Sequence, residues 1–391
     1  MPIQRVLLKP GKEKPIHNRH HWIFSGAIAC LPEFDDGDCL PVYSANEEHL
    51  GWAYFNRKAA ICGRMVSFSE ESPTEAVGRH LKAAVELRNG FFDPEKTNGY
   101  RLVNGEGDLL PGLIVDRYQD VLVVQISTLG MQKLIPIVMD WLTRHLSVKS
   151  IYEKSLLPSR KEEGLQDKQG TLYGEIPTGG VEIMENGLRF SVSILHGQKT
   201  GFFLDHREMR QQVRKLSQGK RVLNCFAYTG GFSIYAAAGG AAAVDSVDIS
   251  AAAMQMAEHN MALNGLESSR HHFYAADVFE FLRERPLDYD LVILDPPAFA
   301  KRQKDVVAAC RGYKDINRIA MEKMPAGSFL LTSSCSYHVN EELFQKVVFQ
   351  AAVEAKRSVK IIGRHQMASD HPVNICHPES DYLKSLLLYI D

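Results

Sequence analysis

Leu291-Val292-Ile293-Leu294-Asp295-Pro296-Pro297-Ala298-Phe299 is the stretch from which the fold is read. Its apolar run predicts a buried strand. The two prolines stop it, because neither has an N–H for a ladder and both fix φ. Asp295 is thereby presented at a strand's C-terminal end, where open α/β sheets hold their ligands. A carboxylate, two carbonyls with no competing N–H and the Phe299 ring suit a planar heteroaromatic base. Forty residues on, Thr332-Ser333-Ser334-Cys335-Ser336 ends another predicted strand.

Around this stretch, from about residue 181, strands and helices alternate as in a doubly wound sheet. Strands are expected at 221–226, 243–247, 272–275, 291–294, 328–333, 359–362 and 383–390. The first leads into the tight turn Ala227-Tyr228-Thr229-Gly230-Gly231, and the second ends in Asp248. A glycine turn lets backbone approach a ligand, and an acid ending the next strand accepts from ribose hydroxyls. Asp248 lies 24 residues past Asn224, near the roughly 20 expected of a nucleotide site. Asp277, ending the third strand, could accept from an adenine amine. The dinucleotide fingerprint G-x-G-x-x-G is absent, and no phosphate-loop lysine follows the turn. S-adenosylmethionine, which has no pyrophosphate to cradle, fits these residues better than NAD or ATP.

The remainder of the chain reads as two further modules. Residues 1–72 show short apolar runs broken by Pro, Gly and Asp, the spacing of a small β-barrel. Residues 73–180 place helices at 74–92 and 131–146 among strands, a small α+β domain with no constellation that carries chemistry. The 391 residues exceed one core and suit two or three domains. No apolar run approaches the roughly 18 residues of a membrane helix, and the N-terminus has no signal-peptide core. The seven cysteines form no CxxC pair, so no zinc or redox motif is signalled. Scattered thiols in odd number suit a reducing cytoplasm.

Net charge is −2, yet the charge is unevenly spread. Residues 1–24 hold five cations against Glu13. Residues 298–318 hold Lys301, Arg302, Lys304, Arg311, Lys314 and Arg318 against Asp305 and Asp315. Such a block is usually a solvated face. Beside a base pocket it reads as a phosphate-facing loop. In the N-terminal module, Arg19, His20, His21, Trp22, Phe24, Tyr54 and Phe55 could stack on and pair with RNA.

Several motifs together carry a family resemblance. They are RHHWIFSGAI with GWAYFN, YRLVNGEGDLLPGLIVDRYQD, GQKTGFFLDHR, NCFAYTGGFS, VDIS, DPPAFAK, CRGYKDIN, SCS and the late DHP. In this order they resemble the bacterial 23S rRNA cytosine-5 methyltransferase family of the RlmI type, along nearly the whole chain. The start resembles a PUA domain, a small RNA-binding barrel. The resemblance implies an α/β protein in three parts: a PUA-like β-barrel, a small central α+β domain and a Rossmann-like methyltransferase over 181–391. It implies S-adenosylmethionine as methyl donor and large-subunit ribosomal RNA as partner. The implied donor site is Thr200, Phe203, Arg207, Asn224, Phe226, Tyr228, Thr229, Gly230, Asp248, Ile249, Ser250, Asp277, Val278 and Asp295. Cys335 is implied as nucleophile, with Pro296, Pro297, Phe299, Lys301, Arg302, Arg311 and Lys314 toward the RNA. The family has glutamine where His206 stands and more often lysine where Ala298 stands. No metal and no membrane are implied; the oligomeric state stays open, a homodimer included.

The chemistry asks for such residues. Carbon 5 of cytosine is a poor nucleophile until a thiolate adds at C6. A free thiol with pKa near ~8.5 is a few per cent thiolate at neutral pH. Lys301, Arg302 or the donor's sulfonium would lower that pKa, and Asp295 would hold the cytosine N3/N4 edge. A lone cysteine is more often core; Cys225, inside the first strand, is read so, and Cys310, in the basic stretch, is read as a surface residue. Two other readings remain open: methylation of an exocyclic amine through the DPP motif without a thiol, and a non-catalytic RNA-binding factor.

Overall fold

The computed structural model describes residues 5–391; the first four positions of the expected 1–72 module lie outside the described residues. The chain divides into two compact units. One holds the chain up to Met184, with Val192–Leu204 and Ser369–Ser380. The other holds Glu185–Ser191, Asp205–Ala368 and Asp381–Asp391.

The first unit contains two sheets. Its six-stranded sheet runs Trp22–Phe24, Ile61–Ser67, His49–Phe55, Cys39–Tyr43, Val6–Leu8, Ile28–Cys30. Val6–Leu8 pairs parallel to Cys39–Tyr43 and antiparallel to Ile28–Cys30. The short runs read as a barrel are thus its strands. Val6, Leu8, Ile23, Leu40, Val42, Phe55 and Met65 form its core.

The second sheet runs Lys168–Tyr173, Ser150–Ser155, Val121–Ile126, Leu113–Tyr118, Gly99–Asn104. Helices Pro73–Phe91 and Leu129–His145 cover it with Val77, Leu81, Ala84, Met131, Leu134, Val138 and Leu142, apolar positions at helical spacing. Ser72 and Glu75 form a capping box, and Thr128 caps the second helix. The late DHP motif is a tie within this unit. Asp370 accepts the Arg101 amide at 2.8 Å, and its carbonyl accepts from Arg88 at 2.7 Å. Arg88 also grips Asp108 bidentately, at 2.6 and 2.8 Å.

In the second unit we number the sheet strands β1 (Arg221–Cys225), β2 (Ala243–Asp248), β3 (His271–Ala275), β4 (Leu291–Leu294), β5 (Ser328–Ser334), β6 (Val359–His365) and β7 (Lys384–Ile390). Helices are α1 (Arg207–Leu216), α2 (Gly231–Ala238), α3 (Ala251–Leu263), α4 (Val278–Glu284), α5 (Val306–Lys323) and α6 (Glu341–Glu354). The spatial order is β3-β2-β1-β4-β5-β7-β6. β1 to β5 are parallel, and β7 is antiparallel to both neighbours.

The apolar run at 291–294 has its reason here. Leu291 and Ile293 join Met209, Val213, Phe232 and Ala236 on one face. Val292 and Leu294 join Phe281, Tyr313, Ile316 and Phe344 on the other. A sheet covered on both sides needs apolar residues at every position.

Three segments differ from expectation. The basic stretch 298–318 is not an extended loop: Val306–Lys323 is helical, burying Ala309, Tyr313, Ile316 and Ala320 at helical spacing. Its cations lie on the opposite, solvated face and masked that period. The helix Arg207–Leu216 was not foreseen, because two of its four buried residues are arginines. Arg210 meets the buried carboxylate of Glu185 at 2.6 and 2.7 Å. The hairpin strands Val181–Glu185 and Leu188–Val192 were also unforeseen.

Candidate active site

The loop leaving β1 is wound tightly. Phe226, Tyr228 and Gly230 all have positive φ, at 59°, 48° and 80°. Two non-glycine residues in the left-handed region within three positions store backbone strain, a condition concentrated at ligand sites. At Gly230 a Cβ would stand 2.8 Å from the Ala257 Cβ, so only glycine lets α2 pass α3 here.

Asp248 holds this loop open. Its Oδ2 accepts the Tyr228 amide and its Oδ1 the Ser250 amide, each at 2.9 Å. Each carboxylate oxygen keeps a lone pair for a ribose hydroxyl. Ser250 caps α3, and beside it Ile249 is 76% exposed, an apolar surface next to an acid. Asp277 caps α4 by accepting the Glu280 amide at 3.0 Å, which employs one of its oxygens. Val278 is buried under it. The donor set therefore suits an adenosine: a carboxylate for the ribose, an apolar shelf and a strained turn.

Other expected donor-site residues serve the framework. Asn224 is fully buried and donates to Ser233, whose hydroxyl meets Ser246 at 2.7 Å, joining β1, α2 and β2. The Thr229 carbonyl accepts from Asn260 at 3.1 Å. Phe226 packs edge-on against Phe279. Arg207 is buried with its Nε 3.3 Å from Glu185. Thr200 and Phe203 belong to the first unit. There Thr200 donates to Asp116 at 2.6 Å and meets the Tyr118 hydroxyl at 2.7 Å, while Lys199 sits 4.4 Å from the Phe203 ring centre.

The ends of β4 and β5 meet as their adjacency requires. Cys335 Sγ lies 3.9 Å from the Pro296 carbonyl. His206 Nε2 stands 3.3 Å from Asp295 Oδ2. The Ser336 hydroxyl ties the two segments, accepting the Ala300 amide at 3.1 Å and meeting the Tyr313 hydroxyl at 2.9 Å. Phe299 packs on Tyr313 and Phe279, with ring centres 4.6 and 6.0 Å away. Pro297 is exposed and Pro296 buried.

Of the expected phosphate contacts, Lys301, Arg302 and Arg311 are exposed. Arg302 pairs with Asp305 at 3.2 Å and Lys314 with Glu354 at 2.6 Å.

A residue absent from the sequence reading completes this corner. Lys384, opening β7 and buried, donates to the Ser336 carbonyl at 2.6 Å and the Tyr382 carbonyl at 2.8 Å. Burial pulls its ammonium down to about 8, against the opposing fields of Cys335 and Asp381. A lysine among the leucines of 383–390 was the available signal. Burial pushes the Cys225 and Cys310 thiols up, which makes them poor nucleophiles.

Residues 164–378 match the S-adenosylmethionine-dependent methyltransferase family model, and residues 6–68 the PUA-like domain. "Ribosomal RNA large subunit methyltransferase I" of Shewanella denitrificans is 42% identical, with 98% of each chain covered. That of Aeromonas hydrophila is likewise 42% identical over 98% of each chain. The chain belongs to the ribosomal RNA large subunit methyltransferase I family. Among solved structures, SMU.776 complexed with SAH aligns over 98% of this chain and 99% of its own, at 27% identity and TM-score 0.84. A chain from Streptococcus mutans assigned as a SAM-dependent methyltransferase aligns with the same coverage, at 25% identity and TM-score 0.83. This family member is thus a PUA-like module followed by an S-adenosylmethionine-dependent methyltransferase domain.

Among the described residues, His20, His377 and Glu379 form the one group spaced to hold a metal ion. The Trp22 amide donates to His20 Nδ1 at 3.2 Å, so Nε2 carries the ring proton and faces Glu379 at 3.3 Å. A neutral histidine ligand needs the opposite arrangement. The trio reads as a hydrogen-bonded tie within the first unit. No helix among the described residues is long and apolar enough to cross a membrane.

Proposed function

We propose that this enzyme forms 5-methylcytosine in large-subunit ribosomal RNA, with Cys335 as nucleophile. The observation that carries the reading is the thiol at the end of β5, 3.9 Å from the Pro296 carbonyl of the DPP segment. S-adenosylmethionine, bound at the loop after β1 and at Asp248, supplies an electrophilic methyl group. Cys335 adds to C6 of the base, which makes C5 nucleophilic; after methyl transfer a general base takes the C5 proton and the thiolate is eliminated. Asp295, steadied by His206, holds the N3/N4 edge. The Phe299 ring, which an amine-methylating site would stack on its base, packs with Tyr313 and Phe279. That supports carbon 5 over the exocyclic amine.

In the same reading the domains divide at 72/73 and 180/181. The donor site centres on Asp248, Ile249, Ser250 and the turn at 228–230, and Lys301 and Arg311 face phosphate. The target base is unpaired or flipped, since C6 is hidden within a helix. The PUA-like module contributes RNA affinity, and the enzyme works in the cytoplasm. Mapping methyl gain on 23S rRNA fragments by mass spectrometry tests the reading. A 5-methylcytosine product supports it. N4-methylcytosine would establish the amine-directed alternative.

A further inference from the structure

We infer that Lys384 is the positioning residue that sustains the Cys335 thiolate, its ammonium held in place by backbone carbonyls beside the thiol. The inference rests on the reading of Cys335 as nucleophile. In the β5–β7 register Lys384 stands opposite Ser334, the residue before Cys335. Two of its N–H groups are taken by the carbonyls of Ser336, the residue after Cys335, and of Tyr382. The third is left for a thiolate. Lysine buried in a sheet costs free energy unless its charge is used, and the carbonyls alone do not neutralise it.

Other titratable groups share this corner: Asp295, next to the Pro296 whose carbonyl lies 3.9 Å from Sγ, pairs with His206 at 3.3 Å. Tyr313, from α5, also feels Cys335, and burial raises its hydroxyl so that it stays neutral. Asp381 favours the Lys384 ammonium, while burial and Glu341 raise the Asp381 carboxyl itself. With Lys384 near 8, about nine in ten ammonium groups are charged at neutral pH. The thiol proton leaves to water, and the ammonium keeps its own.

The test is iodoacetamide alkylation of the full-length protein from pH 5.5 to 9.5, without donor or RNA, followed on the Cys335 peptide by mass spectrometry. Wild-type Cys335 should alkylate with a midpoint below the ordinary thiol value of ~8.5. Lys384→Met should raise that midpoint by about one pH unit and slow alkylation at pH 7 about tenfold. Lys384→Arg, which keeps a cation, should restore most of the rate. A wild-type midpoint at or above ~8.5 overturns the inference, and needs no variant to fold. So does a Lys384→Met profile that superimposes on wild type. If Cys335→Ala retains methyl transfer, the nucleophile reading fails, whatever the alkylation profiles show. If it loses transfer while the profiles superimpose, only the role of Lys384 fails.

Discussion

His206 Nε2 stands 3.3 Å from Asp295 Oδ2, and the histidine ring lies edge-on against Phe232 of α2. The acid at the end of β4 is thus fixed by a side chain from the start of α1, some ninety residues earlier. A hydrogen bond to a charged group contributes roughly 1.5–3 kcal/mol. His206→Ala should therefore lower kcat for RNA methylation by about tenfold or more. His206→Gln, which keeps a donor, should recover most of it. Steady-state methyl transfer checks this, with calorimetry to show that S-adenosylmethionine affinity is unchanged.

The donor loop gives a second prediction. Asp248→Ala removes the acceptor of the Tyr228 and Ser250 amides together with the ribose acceptor. S-adenosylmethionine affinity should fall about 100-fold or more by calorimetry, since two amides lose their partner and the loop loosens. Gly230→Ala should act in the same direction, and should also lower Tm by several degrees. Its φ of 80° and the approach of Ala257 each penalise a Cβ.

Two buried histidines of the first unit make stability fall in acid. Burial lowers both His21 and His80 to about 4. Both stay neutral in the folded protein down to about that pH, whereas in the unfolded chain they take up protons below about 6.5. The unfolded state then binds more protons, so stability falls as pH drops from about 6.5 to about 4, on the order of 3 kcal/mol for each histidine. His21 donates from Nδ1 to the Met65 carbonyl at 2.8 Å, and its buried Nε2 has no acceptor for a second proton. Tm measured across this range should decline, and His80→Leu should flatten the decline.

Much of the second unit was legible because its signals are local. A strand buried on both faces writes an unbroken apolar run, and Pro-Pro writes its end, so 291–294 could be read to the residue. The glycine turn and Asp248 follow consecutive strands and meet in space. Elements stabilised by distant partners were not legible. The helix 207–216 buries arginines that make sense only with Glu185 beside them. The helix 306–323 shows solvent a row of cations, and these outweighed its apolar stripe. Lys384 had no local signal beyond its incongruity. Its meaning comes from β7 inserting antiparallel beside β5, which places it opposite Ser334, the residue before Cys335.

The PUA-like start was legible as a spacing of short strands. The tie formed by Asp370 and Pro372 was not, since the residues it holds, Arg88, Arg101 and Asn104, lie more than 260 residues upstream.

The account turns on Cys335. The most direct measurement is methyl transfer to 23S rRNA fragments by wild type beside Cys335→Ala, with S-adenosylmethionine binding measured on both. The account predicts that the variant binds the donor normally and loses transfer by three orders of magnitude or more, as expected when a nucleophile and the step it opens are removed together. Near-normal formation of 5-methylcytosine by Cys335→Ala would contradict it.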